Sequence, residues 1–290
     1  MVGERFTIFS FLKYAFIAIF AFLIIYPMLN ILATSMSGNE AILTGRVTFY
    51  PIGFNFAGYK MILEQTKLVP AYINTLKYVI LHTAVALAIT TCGAYALSKG
   101  SRLWGYNLFM PMILFTMFFG GGMIPTYLTM KMYNLLNTTA VIVLMGAVSS
   151  YNLIVMKSFF QSLPKDLEEA GKIDGLNDFG VLWYIILPLS SAILTTIALF
   201  YAVGQWNSYM TPFIYLSDTD KYPVQVILKQ MLIAGSTVSQ EANNMNVDSM
   251  VLGESLTNAT IVVSILPMMI IYPFLQKYFV KGVMIGSLKG

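Results

Sequence analysis

The chain has 290 residues, of which 57% are hydrophobic and only 10% are charged, with a net charge of +4. A soluble domain carries about 25% charged residues, so a chain this apolar cannot cover a water-exposed surface and is predicted to be an integral membrane protein. The small net charge and the lack of a basic block argue against nucleic-acid binding, and the single cysteine, Cys92, excludes an internal disulfide.

Six segments are apolar and long enough, at about 20 residues, to cross a bilayer as helices. In chain order they are residues 9–34, 73–97, 106–130, 138–157, 184–216 and 259–280. Two connections, 35–72 and 217–258, are long and polar. We therefore expect an all-α membrane protein in which residues 1–290 form a single domain with six transmembrane helices.

The distribution of basic residues predicts the orientation of these spans. With the N-terminus in the cytoplasm, ten of the 17 lysines and arginines fall inside, and five of the remaining seven lie in the two long loops, which count less. The pairs Lys99/Arg102 and Lys277/Lys281 support this orientation most directly. Both termini are predicted to be cytoplasmic.

Two spans contain unusual residues. The only histidine, His82, lies in the second span, where an ionisable group is a functional candidate. No carboxylate lies in the same or neighbouring apolar cores, so we predict a neutral packing histidine. In the third span, three consecutive glycines (120–122) followed by Pro125 predict a loosened or kinked helix.

A polar segment, residues 160–188, separates the fourth and fifth spans. Pro164 suits the first turn of a helix, the acids after it favour the positive end of the helix dipole, and Gly175 is a natural stop. One face of this helix, with small residues at its centre, would let another surface approach closely. That face consists of Leu167, Ala170, Gly171 and Asp174.

A second short helix is predicted after Asn177, which can cap it. Four apolar residues repeat there at helical spacing and would lie along the lipid interface: Phe179, Leu182, Trp183 and Ile186. On the pattern alone, an ordinary solvated cytoplasmic loop explains the whole segment equally well, because charge runs usually mark solvated faces.

The spacing of Glu169-Ala170-Gly171, Gly175 and Ile185-Ile186-Leu187-Pro188 resembles the EAA signature of permease subunits in binding-protein-dependent ABC importers. In that family the loop lies between the fourth and fifth of six spans and forms a coupling helix that docks into a cytoplasmic ATPase. Gly171 stands where a second alanine is usual, and glycine weakens a helix by roughly 1 kcal/mol.

Other stretches resemble the carbohydrate branch of that family, in particular the lipo-oligosaccharide and pectin-fragment importers and the smaller maltose-type permease. They are the runs 119–127, 206–209 and 273–282. The resemblance implies a type I importer permease fold in the bacterial cytoplasmic membrane. It also implies a heterodimer with a homologous permease, a dimeric ATPase and an extracytoplasmic sugar-binding protein. The expected docking residues are Leu167, Glu168, Glu169, Ala170, Gly171, Asp174 and Gly175.

An importer of sugars needs polar and aromatic groups along its path, because lipid offers hydroxyls no partners. The candidates are Tyr127, Ser150, Tyr151, Asn152, Gln205, Trp206, Asn207 and Tyr209. Interhelical hydrogen bonds and interfacial aromatics are the structural alternatives for these residues. By the same resemblance, a flexible outer loop would reach the binding protein through Gly235, Ser236, Thr237, Ser239 and Gln240.

No phosphate-binding loop of the form Gly-x4-Gly-Lys-Ser/Thr occurs, so ATP and magnesium are expected on the partner ATPase. With one histidine and one cysteine, neither a metal site nor a catalytic set is expected, and the chain is predicted to be a non-enzymatic translocation subunit without its own cofactor. Two alternatives remain: an ABC permease for a non-sugar solute, and a secondary transporter, which would need intramembrane acids.

Overall fold

The computed structural model describes residues 8–64, 67–241, 253–270 and 272–273, and throughout these ranges the regular structure is helical. The chain divides into two compact units, Met1–Leu68 with Ile227–Pro267, and Val69–Val226 with Met268–Gly290. The predicted run 273–282 and the end of the predicted sixth span lie almost wholly outside the described residues.

The first unit contains a long apolar helix and several short ones. Its helices are α1 (Ile8–Ser35), α2 (Asn39–Leu43), α3 (Ala57–Leu63), most of α14 (Val224–Glu241), and α15 (Gly253–Ile270) up to Pro267. The apolar side chains of α1 are largely exposed, as expected of a helix that faces lipid. Gly58 allows α3 to approach α15 closely, since a Cβ there would lie 2.8 Å from the Ser255 carbonyl oxygen.

The second unit holds most of the buried core. Its helices are α4 (Leu68–Ser98), α5 (Tyr106–Phe118), α6 (Met123–Met132), α7 (Thr139–Leu144), α8 (Ser150–Ser162), α9 (Lys165–Ile173), α10 (Asp178–Val181), α11 (Leu187–Leu189), α12 (Ser191–Trp206) and α13 (Met210–Tyr215). A π-helical turn, Leu182–Ile186, joins α10 to α11. The core is apolar and draws on α4, α8, α12 and the π turn.

Among the described residues, three helices are long and apolar enough to cross a membrane alone: Phe9–Ser35, Leu68–Ser98 and Gly253–Ile270. Two further pairs are long and apolar enough only when taken together, and each is bent: by 117° between α5 and α6, and by 86° between Asp178–Leu189 and α12. The first bend falls at residues 119–122, so the kink predicted from three glycines is confirmed. At 138–157, where one continuous span is predicted, two shorter helices, α7 and α8, flank the non-helical residues 145–149.

Candidate functional site

The polar segment after α8 folds as the local signals predict. Helix α9 follows Pro164 as its N-cap and ends before Gly175, which adopts a left-handed conformation with φ of 82°. The Leu176 N–H donates to the Gly171 carbonyl at 2.9 Å, and the Gly175 N–H donates to the Lys172 carbonyl at 3.1 Å. These two bonds form a Schellman motif, which satisfies carbonyls that the helix end would leave free.

One face of α9 is tied to the C-terminal end of α4 by a shielded ion pair. The Lys99 ammonium lies 2.5 Å from a Glu168 carboxylate oxygen, and the two side chains are only 19% and 24% exposed. Lys99 also donates to the Tyr95 hydroxyl at 2.9 Å and sits 4.0 Å from the centre of that ring. A pair with this burial and a second hydrogen bond holds its geometry better than an exposed pair.

The same face of α9 packs on the following turn through Gly171. This residue is buried, and a Cβ on it would lie 2.5 Å from Ile185 Cδ1 and 3.4 Å from Val181 Cγ2. The prediction that Gly171 belongs to an open docking face is therefore wrong. A methyl group at this position would require the tip of the Ile185 side chain to move.

The opposite face of α9 is open to solvent. Asp166, Glu169, Ala170 and Ile173 follow at i, i+3, i+4 and i+7, and all four are exposed. Ile173 was not among the predicted site residues, although its side chain is 85% exposed. An isoleucine in the last turn of a helix with charged neighbours was the sequence signal for it. Of the other predicted docking residues, three are also exposed: Leu167, Asp174 and Gly175.

The second short helix confirms one prediction and corrects another. The Asn177 side chain accepts from the Gly180 N–H at 2.8 Å, as the capping prediction requires. Of the four apolar residues predicted to lie at the lipid interface, Phe179 and Trp183 are exposed and stack on each other. The other two, Leu182 and Ile186, are buried instead, because the π turn carries them into the core.

A second ion pair joins α9 to α10 at the surface. The Lys172 ammonium lies 2.9 Å from an Asp178 carboxylate oxygen, and both side chains are more than half exposed. The hydrogen bond and the negative charge of Asp178 raise the pKa of Lys172. Beside α9 lies a polar cleft of about 370 Å³, which the exposed acid Glu169 helps to line.

A cavity of about 460 Å³ lies within the second unit, and it brings His82 together with predicted path residues from the fourth and fifth spans. Its lining consists of His82, Met145, Gly146, Ser149, Tyr151, Asn152, Phe200, Tyr201, Gly204, Gln205, Ser208 and Thr211. Three predicted path residues, Tyr151, Asn152 and Gln205, line it together. Sequence reasoning missed Thr211 as a path residue, because threonine in an apolar run is usually structural.

The cavity is lined by neutral hydrogen-bonding groups. Asn152 is only 6% exposed, and its side-chain amide has no hydrogen-bond partner among the described residues. The amide faces the cavity, so both its donor and its acceptor are available to a ligand. Within the described part of the chain, no three His, Cys, Asp or Glu side chains gather closely enough to hold a metal ion.

Two predicted path residues lie beside the cavity without lining it. The Ser150 hydroxyl shares a hydrogen bond with the Thr116 hydroxyl at 3.1 Å, a contact between α8 and α5. Tyr127 packs on Tyr215 with ring centres 5.9 Å apart. These contacts are the interhelical packing that sequence analysis gave as the alternative.

Three more predicted path residues, which follow Gln205 in the chain, are also outside the cavity lining. Trp206 is 6% exposed and its ring contacts Tyr72. The Asn207 amide donates to a carbonyl of its own helix at 3.0 Å, and Tyr209 stacks on Phe213 with ring centres 5.3 Å apart. Trp206 follows Gln205 within α12 and therefore points about 100° away around the helix, and Asn207 and Tyr209 lie beyond the end of α12.

The residues predicted to contact a binding protein lie in α14, whose backbone is helical to Glu241. Gly235, Ser236, Thr237, Ser239 and Gln240 therefore lie in a helix and not in a loop, and their contact with a binding protein stays a prediction. One glycine costs a helix only about 1 kcal/mol, so the apolar repeat that begins at Val224 carries the helix through it. Residues 242–252, the rest of that loop, lie outside the described ranges.

Comparison with known proteins places the chain among transport proteins. Residues 97–285 match the family of binding-protein-dependent transport system inner membrane components. A polygalacturonan/rhamnogalacturonan transport system permease protein, YtcP, from Bacillus subtilis (strain 168) is 37% identical over 98% of this chain and 99% of its own length. Protein LplC from the same organism is 40% identical over 92% of this chain and 90% of its own length. The fold matches the crystal structure of a bacterial ABC transporter involved in the import of the acidic polysaccharide alginate, with a TM-score of 0.85, 34% identity, and coverage of 96% and 99% of the two chains.

Proposed function

Because the chain belongs to the family of binding-protein-dependent transport system inner membrane components, we propose that it is the permease subunit that moves an oligosaccharide into the cytoplasm. The observation that carries this proposal is the cavity with its unpartnered Asn152 amide. Neutral amides and hydroxyls beside aromatic rings suit a sugar, whose hydroxyls need partners and whose ring faces are apolar. Tyr151 and Gln205 supply such groups in the same lining.

The cargo class follows from the relatives. One relative transports polygalacturonan and rhamnogalacturonan, and the matching structure belongs to an alginate importer. We infer that this chain carries fragments of such plant or algal polysaccharides rather than maltodextrins. A non-sugar solute is the second candidate within the same family.

The exposed face of α9 supports docking of a separate ATPase, which would bind ATP and magnesium. An apolar side chain that is 85% exposed, as Ile173 is, beside acids and a small Ala170, offers a partner a compact hydrophobic contact. Closure of the ATPase dimer would move this helix and open the cavity alternately to the two sides of the membrane. The chain itself would catalyse no reaction.

The family is multi-pass in the inner membrane, and we infer six spans in one permease domain with both termini in the cytoplasm. In this proposal the two bent pairs would each form one span, and residues 138–157 with their interruption would form the sixth. A homologous permease would pair with this chain, and an extracytoplasmic sugar-binding protein would deliver the cargo, with the 217–258 region on its side.

Reconstitution tests the transport proposal. The chain would be assembled in liposomes with its partner permease, ATPase and binding protein, and supplied with polygalacturonan fragments or maltodextrin. We expect ATP hydrolysis stimulated by the fragments, together with their uptake. A complex that responds to neither sugar would contradict sugar import, and uptake by this chain alone under an ion gradient would point to a secondary transporter.

Two substitutions test the docking face. Ile173→Asp and Glu169→Lys are each expected to weaken capture of the ATPase roughly tenfold, because they place repulsive charge in a contact. The control is Glu40→Lys, an exposed acid in α2 on the predicted outer side. Unchanged ATPase binding by both variants, measured by co-purification and titration, would exclude docking at this face.

A further inference from the structure

The helix interruption at residues 145–149 leaves backbone groups to be satisfied by other parts of the chain. In a continuous helix the Val143 carbonyl would accept from the Ala147 N–H, and the Ser149 N–H would donate to the Met145 carbonyl. Here the Ala147 N–H donates to Leu144 instead, at 3.1 Å. Inside a bilayer such free groups cost several kcal/mol unless something replaces the lost partner.

Two buried side chains replace the lost partners on either side of the interruption. His82 Nδ1 lies 2.9 Å from the Val143 carbonyl, and because a carbonyl only accepts, this nitrogen is the donor. The Tyr201 hydroxyl accepts from the Ser149 N–H at 3.1 Å and shares a second hydrogen bond with Thr90 at 2.7 Å. The two rings meet edge to face with centres 5.9 Å apart, so they form one buried unit.

The backbone groups inside the interruption are left without partners. The Met145 carbonyl and the Gly146 N–H and carbonyl make no hydrogen bond to any described residue, and both residues line the cavity. Gly146 has a left-handed φ of 74°, which turns its peptide groups away from the helical direction. The unpartnered amide of Asn152, buried to 94%, lines the same cavity.

We propose that the interruption is a hydrogen-bonding subsite for the hydroxyl groups of the cargo, and that His82 and Tyr201 are the positioning residues that hold it open. This inference rests on the proposed oligosaccharide import. The cavity lining contains no Asp, Glu, Lys or Arg. The subsite therefore takes a neutral hydroxyl-bearing edge of the sugar, and any carboxylate of the cargo is bound elsewhere.

The test measures uptake of labelled polygalacturonan fragments per ATP hydrolysed by the complete reconstituted importer. Tyr201→Phe removes only the hydroxyl, and His82→Phe keeps a ring but removes the donor. His82→Gln retains a donor for the Val143 carbonyl and serves as the rescue. Tyr78→Phe is the matched control, because Tyr78 lies one turn from His82 on α4 and its buried hydroxyl donates to a carbonyl, at 2.9 Å, away from the cavity.

We expect uptake per ATP to fall roughly tenfold in Tyr201→Phe and His82→Phe, to recover largely in His82→Gln, and to stay unchanged in Tyr78→Phe. If both cavity variants match Tyr78→Phe, or if they lower only the yield of assembled complex, the inference is wrong. If the wild-type importer takes up no fragments, the proposed function fails first, and this inference fails with it.

Discussion

The polar segment 160–188 and the cavity differ in whether their polar side chains have hydrogen-bonding or charged partners. In the polar segment two charged pairs form, a shielded one between Glu168 and Lys99 and an exposed one between Lys172 and Asp178. In the cavity the neutral amide of Asn152 is buried and has no partner in the described structure. Paired charges stabilise the first region, whereas the amide without a protein partner is the group that we propose for binding a ligand.

The largest effect on stability is expected at Gly171, where α9 packs directly against the following turn. Gly171→Leu would drive a side chain into Ile185 and Val181, and overpacking of this kind costs about 2 kcal/mol. We expect a lower thermal midpoint of the purified importer and loss of ATPase coupling. The control is Gly120→Leu, where a Cβ would meet no atom within 4 Å. Equal midpoints for the two variants would show that α9 does not depend on this contact.

The next effect separates ligand binding from stability in the cavity. Asn152→Leu removes an amide that has no protein partner, so we expect no loss of thermal stability but roughly tenfold weaker uptake of polygalacturonan fragments. Asn207→Leu is the control, because that amide bonds its own helix outside the cavity. A destabilised Asn152→Leu variant with normal uptake per complex would reverse the assignment of scaffold and ligand groups.

A smaller effect is expected from the shielded ion pair. Glu168→Gln keeps the shape of the side chain but removes its charge, and we expect a loss of about 1 kcal/mol in stability. A double-mutant cycle with Lys99→Met measures the coupling directly. The exposed pair Lys60–Glu64, at 3.8 Å, is the reference and should show less coupling. Equal coupling energies would mean that burial adds nothing to the Glu168 contact.

The smallest effect is expected at the exposed pair of the same segment. Lys172→Met should leave the thermal midpoint unchanged within error, because solvent screens such pairs. Since Asp178 raises the pKa of Lys172, this contact is fully present below the ordinary lysine pKa and is lost as the pH rises through the raised value. A clear drop in the midpoint at neutral pH would contradict this ranking.

Local signals in the sequence were enough to predict the helix boundaries of the polar segment. Pro164, Gly175 and Asn177 act through their own backbone or that of near neighbours, so the start, the stop and the second cap were all predictable. Which face of α9 packs against the rest of the chain was not predictable. Periodicity shows which residues share a face, but only packing against Ile185 shows that Gly171 points inward.

The helix interruption beside the cavity was not predictable from the sequence, because it too depends on contacts with distant residues. The bend before α6 was predictable because three consecutive glycines weaken a helix where they occur. Between α7 and α8 the only local signal is Gly146, and the partners that stabilise the break, His82 and Tyr201, lie 61 and 52 residues away from the groups that they satisfy. For the same reason the sequence predicted only packing for His82 and not its hydrogen bond to the Val143 carbonyl.

Helix α4 and Lys99, the residue directly after it, provide partners to both regions. Lys99 pairs with Glu168 of the polar segment, and His82 donates to the Val143 carbonyl beside the helix interruption. The two residues are 17 positions apart, which is roughly 25 Å along a helix axis. Helix α4 runs without interruption over its 31 residues. If the proposed partner moves α9, the displacement reaches His82 at the cavity through this single helix.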